Sequence, residues 1–179
     1  MTAWRPVSSR PACAQVTRAN VGPGRQTAGM ATWEQFEAEA DELASVVKVR
    51  FQGAKTHILA TLRKNGAPRV SGSEVDFVAG ELSFGSMSNA VKALDLRRDG
   101  RCAIHAHPGE GGDVKVAGVA VEVTDPREKR AFTTGSEPPG DFHVFRLDLH
   151  EAVVTAVEDD ELVIRLWRPG RPVETFRRT

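Results

Sequence analysis

The sequence predicts a mainly β fold: an antiparallel β-barrel of six to seven strands carrying two or three peripheral helices. Short apolar, β-branched runs recur from residue 57 to residue 167, separated by turn-forming clusters such as "NG", "AG", "PGEGGD" and "EDD". The connections between these runs are short. Helical patterns do not alternate with continuously apolar strands, so a doubly wound nucleotide-binding sheet is not expected.

The elements follow in order. Phe36, Leu43, Val46, Val47 and Phe51 have the spacing of one amphipathic helix over about 33–52, with Thr32 as its cap and Gln35 completing a capping box. "HILATLRKNGAPRVSGSEVDF" reads as a hairpin, strands 57–63 and 67–77 joined at Asn65-Gly66 by a type I′ turn. "AGELSFGS" gives a turn and a third strand. A helix from about 90 to 98 follows, capped by Ser88 or Asn89 and stopped at Gly100, with Arg97 and Arg98 in its last turn where cations suit the dipole. "RCAIHAH" is a fourth strand, and the loop "PGEGGD" leads to the long strand "VKVAGVAVEVTD". A short helix begins after Pro126, and "FHVFRLDLHEAVVTAV" and "ELVIRLW" are further strands around the turn "EDD".

Composition narrows the functional classes. The 179 residues suit one domain with a real core. A formal net charge of zero argues against a nucleic-acid or anionic-membrane binder driven by bulk charge. No run approaches the roughly 18 apolar residues of a membrane helix. Two cysteines, Cys13 and Cys102, make no disulfide framework, so a cytoplasmic location is expected. Residues 1–29 contain Arg5, Arg10, Arg18 and Arg25 without an acid or apolar periodicity, and read as a disordered or non-native extension. Residues 30–179 read as the single folded domain.

The chemistry concentrates in "GSMSNAVK". A helix N-terminus carries partial positive charge, so Lys92 in a first turn is misplaced unless something anionic lies beside it. Gly85, Ser86 and Ser88 offer small side chains and approachable N–H groups, and with Lys92 they suit a phosphate. Arg69 and Ser71, two apart, share a face of a regular strand, and an arginine fork matches phosphate oxygens. The plainer alternative is a Ser/Asn cap beside solvated cations. His105 and His107 share a strand face, but nothing at ligand spacing completes a metal site, and none is expected. His57 reads as a hydrogen-bonded structural histidine, with a position at the barrel mouth near a cofactor as its alternative. "PGEGGD" lacks the Gly-Lys-Ser/Thr ending of a P-loop, and Cys102 reads as inert core.

"PRVSGSEVDF", "GELSFGSMSNAVKALDLRRDGRCAIHA" and "DVKVAGVAVEV", in that order, resemble the pyridoxamine 5′-phosphate oxidase-like, FMN-binding split-barrel superfamily over about residues 55–167. The resemblance implies flavin-phosphate contacts from Arg69, Val70 and Ser71, from Ser86 and Met87, and from Lys92. Lys115 and Gly118 fall in the pattern of the family's Gln-x-Arg-x-x-Gly segment. The family's homodimers, with cofactors at the interface, imply that Lys115 reaches a neighbour's cofactor. The sequence departs from true pyridoxamine phosphate oxidases at Glu74, where they have lysine. It also lacks tyrosine and the C-terminal Arg-Leu-His signature, leaving Arg165 as a possible counterpart of a flavin-facing arginine. These departures point away from pyridoxamine phosphate as substrate and toward the broader FMN- or F420-dependent reductases.

The resemblance implies an FMN-dependent oxidoreductase that exchanges hydride with a small molecule. An F420-dependent reductase on the same barrel is the second expectation. A flavin- or haem-binding protein without turnover is the third. No side chain is nominated as catalytic acid or base.

Overall fold

In a computed structural model, residues 29–109, 111–133, 135 and 140–179 are described. The expected extension over 1–29 lies outside them, Gly29 excepted. The elements are α1 (Trp33–Glu39), α2 (Asp41–Gln52), β1 (His57–Leu62), β2 (Pro68–Ser73), β3 (Asp76–Val78), β4 (Glu81–Met87) and α3 (Val91–Arg98). They continue as β5 (Arg101–His105), β6 (Asp113–Glu122), α4 (Pro126–Ala131), β7 (Phe142–Glu158), β8 (Glu161–Trp167) and β9 (Glu174–Arg178). The main path of the sheet runs β2-β1-β5-β6-β7-β4-β3, with β8 on β7 and β9 on β8, and every pairing is antiparallel. This is the mainly antiparallel architecture with few helices that the sequence predicts, but the described residues form nine strands and four helices rather than six or seven and two or three, because the expected 67–77 strand and 33–52 helix each divide and β9 adds an edge strand.

Local departures from expectation have identifiable causes. The single helix over 33–52 is two, broken at Ala40, whose φ of −152° and ψ of 60° leave the helical region. Thr32 does cap α1, accepting from the Gln35 N–H at 3.1 Å, but the Gln35 amide reaches forward to Glu39, so the box closes on one side only. Glu39 also accepts from the Trp167 indole and the Gly170 N–H, tying the break to the end of β8. The strand expected over 67–77 divides into β2 and β3. "RCAIHAH" pairs as a strand only through His105.

Turn chemistry is redistributed. Asn65-Gly66 is not a type I′ turn: of the two, only Gly66 has positive φ (82°), and the Gly66 N–H donates to the Arg63 carbonyl. The Asn65 side chain instead accepts from the Ala67 N–H at 3.1 Å, and local side-chain bonding of this kind favours the wider loop. Two consecutive positive φ values, the mark of type I′, occur at Ala79-Gly80 (55° and 78°) and Asp159-Asp160 (49° and 66°), where β3–β4 and β7–β8 turn.

The core lies inside the curved sheet beneath α1 and α2. Phe145, Leu147 and Leu149 alternate inward along β7 and are fully buried. Phe36 stacks at 4.3 Å on Trp167 and meets Trp33 edge-on at 5.2 Å. His57 is also buried, packed 4.8 Å from the Phe51 ring, and its Nδ1 accepts from the His107 N–H at 3.1 Å. Burial pushes its pKa down, reinforced by the charge of His107, while the carbonyls of Phe51 and Ala54 offset part of the shift. The histidine predicted as structural is a buried acceptor pinning the start of β1 to the segment just beyond β5. A second, smaller cluster of Val123, Phe132 and Val144, with Val78 and Phe142 against it, forms outside the main core.

Candidate functional site at the seam between β2 and β4

The sheet path ends at β2 on one side and β4–β3 on the other, and no ladder joins β2 to β4 among the described residues. At this seam lies a cleft of about 460 Å³. Gly72, Ser73 and Glu74 line one side, Ser83 to Met87 its floor, and Phe132, Phe142 and Val144 an apolar wall. The wall belongs to the second cluster, so packing that is peripheral to the barrel shapes the site.

Helix α3 bridges the seam. Its N-cap is Ala90, without a side-chain hydrogen bond, rather than Ser88 or Asn89; Asn89 adopts φ 62°, outside the extended geometry of a cap. Lys92 does fall in the first turn. Its Nζ donates to the Gly72 carbonyl at 2.7 Å and lies 3.5 Å from Ser73 Oγ. Burial pulls its pKa down and the Glu74 carboxylate raises it partway back. Lys92 thus has acceptors from β2 to offset the helix terminus.

Asp95, one turn later, faces the opposite problem, being an acid toward the C-terminal end of the helix. It is almost wholly buried and accepts from Arg69 Nε at 2.6 Å, Arg98 at 3.0 Å and the Thr61 hydroxyl at 3.3 Å. Burial raises its pKa, but the hydrogen bonds and charges of Arg69 and Arg98 outweigh that and hold it below the usual carboxylate range. Arg98 also donates to the Leu62 carbonyl, fixing the end of α3 on β1.

The residues singled out from the sequence therefore divide. Ser86, Met87 and Lys92 line the cleft. Among the described residues the buried Ser86 hydroxyl has no hydrogen-bond partner, and Met87 is 63% exposed. Arg69, Val70 and Ser71 do not line it. Arg69 turns to Asp95, Val70 is 69% exposed on the outer face of β2, and Ser71 sits opposite Leu59. Lys115 is exposed on β6, opposite His105 and Val153, and does not line its own chain's cleft. Arg165 pairs with Glu158 through two hydrogen bonds of 2.6 and 2.9 Å. Sequence reasoning missed Asp95 and the wall of Phe132, Phe142 and Val144. The unfavourable dipole position of Asp95 was a usable signal, whereas nothing local announces the wall.

The chain matches the pyridoxamine 5′-phosphate oxidase family over residues 43–170. It belongs to that family, and its architecture is the FMN-binding split barrel. PhzG from Burkholderia lata, solved with tetrahydrophenazine-1-carboxylic acid, is 18% identical with a TM-score of 0.53, covering 78% of this chain and 89% of its own. A pyridoxamine 5′-phosphate oxidase-related, FMN-binding protein from Nostoc punctiforme is 13% identical at TM-score 0.56, covering 75% and 94%. A NimC/NimA family protein from Clostridium acetobutylicum is 14% identical at 0.53, covering 80% and 97%. At such identities the likeness is one of fold. No curated protein matches the chain. Among the described residues, no helix is long and apolar enough to cross a membrane.

Proposed function

We propose that the chain is a flavin-dependent oxidoreductase that holds FMN, or the deazaflavin F420 as the second reading, by its phosphorylated tail at the seam between β2 and β4. The observation that carries this reading is that the half-buried Lys92 ammonium in the first turn of α3 lines one cleft together with the buried Ser86 hydroxyl, unpartnered among the described residues, and the apolar wall. The site fits such a group at that end. Lys92 and the first-turn N–H groups of α3 would hold the tail, and exposed backbone at Gly85 leaves room, since a side chain there would meet nothing closer than 3.8 Å. Phe132, Phe142 and Val144 would shield one side from water. When bound, the cofactor supplies hydride chemistry, and the protein's part is placement and electrostatics. The FMN-binding relative from Nostoc punctiforme supports the cofactor class.

Lys92→Ala is expected to weaken FMN affinity by about 1–3 kcal/mol through loss of a charge-assisted contact while the fold is kept. Fluorescence titration of FMN against the variant measures this, and unchanged affinity would remove Lys92 from the site. Reduced FMN or F420 offered with candidate acceptors then separates an oxidoreductase from a carrier.

The reading includes a homodimer. Val70 and Ile58 are 69% and 38% exposed on the outer sheet face. Register places Ile58 opposite His105, and His105 opposite Lys115. Covering that face with a second copy would bury its apolar residues and give Lys115 a route to the partner's cleft. Analytical ultracentrifugation is expected to give twice the chain mass; a monomer at micromolar concentration would refute the shared site.

A further inference from the structure

We propose that Glu74 tempers the charge preference of this cleft, weakening its hold on a doubly charged phosphomonoester more than on a singly charged phosphodiester. The inference rests on the phosphate end proposed above. Among the described residues lining the cleft, Lys92 is the one cation, and Glu74 lines the same cleft. Arg69, the other cation expected there, is committed to the buried Asp95. Glu74 directly follows Gly72 and Ser73, whose oxygens lie within 3.5 Å of the Lys92 ammonium, so it stands beside the charge an anion would seek. Its one ion-pair partner, Lys55 at 3.5 Å, has a side chain 79% exposed, and solvent screens that pair.

Coulomb repulsion scales with the product of the charges. Whatever the distance and local dielectric, Glu74 opposes a dianion twice as strongly as a monoanion at the same point. The Lys92 attraction scales in the same way, so the two opposed charges together set how far the dianion is favoured, and the repulsive one narrows the margin. A phosphodiester-linked tail, as in F420, would suffer half the penalty of the FMN phosphomonoester.

The test compares three ligands sharing one chromophore: uncharged riboflavin, the monomethyl phosphodiester of FMN, and FMN itself. Titrations run at pH 8, well above the second phosphate pKa of about 6. For Glu74→Gln against the parent protein, riboflavin affinity is expected to stay constant. The phosphodiester should tighten about threefold and FMN about tenfold, the logarithm of the second change being twice that of the first. Added salt should shrink both changes. If FMN binds both proteins more tightly than riboflavin, yet the two anions respond equally or not at all, Glu74 has no such role and the phosphate site stands. If FMN binds neither protein more tightly than riboflavin, the phosphate end itself is wrong and the inference falls with it.

Discussion

Asp95→Ala is expected to destabilise the fold by about 3–5 kcal/mol, the cost of breaking a buried ion pair by removing one partner. The carboxylate is the common acceptor for Arg69, Arg98 and Thr61, so its loss strands two guanidinium groups and a hydroxyl between α3 and the β1–β2 hairpin. The side chain of Arg69 is 21% exposed and that of Arg98 36%, which lets water recover part of the loss and places the effect toward the lower end of that range. Urea denaturation should show a lower midpoint with an unchanged slope. The same group gives a pH signature. Its folded-state pKa is depressed, so its contribution is complete above the unfolded value of about 3.9 and is lost as pH falls through the folded value. The difference in stability between the parent and Asp95→Ala should therefore narrow in acid. A loss below about 1 kcal/mol at neutral pH would show that the cluster is a surface network rather than a buried one.

Gly118→Ala is expected to cost about 3 kcal/mol or more. A Cβ built at Gly118 would stand 2.0 Å from the Asp148 carbonyl oxygen and 2.9 Å from its carbon. Both are backbone atoms of β7, the neighbouring strand, so no side chain can swing aside. The register between β6 and β7 shifts between Ala117 and Gly118, and the close approach belongs to that bulge. An added methyl must push apart the longest ladder of the barrel. The variant should lose its thermal transition or show it many degrees lower by circular dichroism; a near-parental melting temperature would mean that the bulge can migrate along β7.

These two residues show what was legible and what was not. Gly118 stood out only because "DVKVAG" resembles a family segment; no local pattern shows that the backbone of another strand, some thirty residues on, passes over it. Asp95 carries a signal parallel to that of Lys92, a charge set against its helix dipole. The shared face of Arg69 and Ser71 is legible in the sequence, because alternation along a strand is local. The partner of Arg69 was not legible, because Asp95 arrives from α3 across the barrel end. The Asn65-Gly66 dipeptide between two β-like runs predicts type I′, yet the Asn65 side chain bonds to Ala67 and the turn widens, while Ala79-Gly80 and Asp159-Asp160 adopt that geometry.

The sequence alone determined the fold class, the order of most elements and the small-residue strand end leading to Lys92, because alternation, capping and turn chemistry act over a few residues. Tertiary structure decided which charges meet. It gave Lys92 to the Gly72 carbonyl, Arg69 to Asp95 and the cleft wall to Phe132, Phe142 and Val144. Electrostatic and packing partners are chosen by distance in space, and β2 meets the β4–α3 junction only through the curvature of a sheet in which β1, β5, β6 and β7 lie between them.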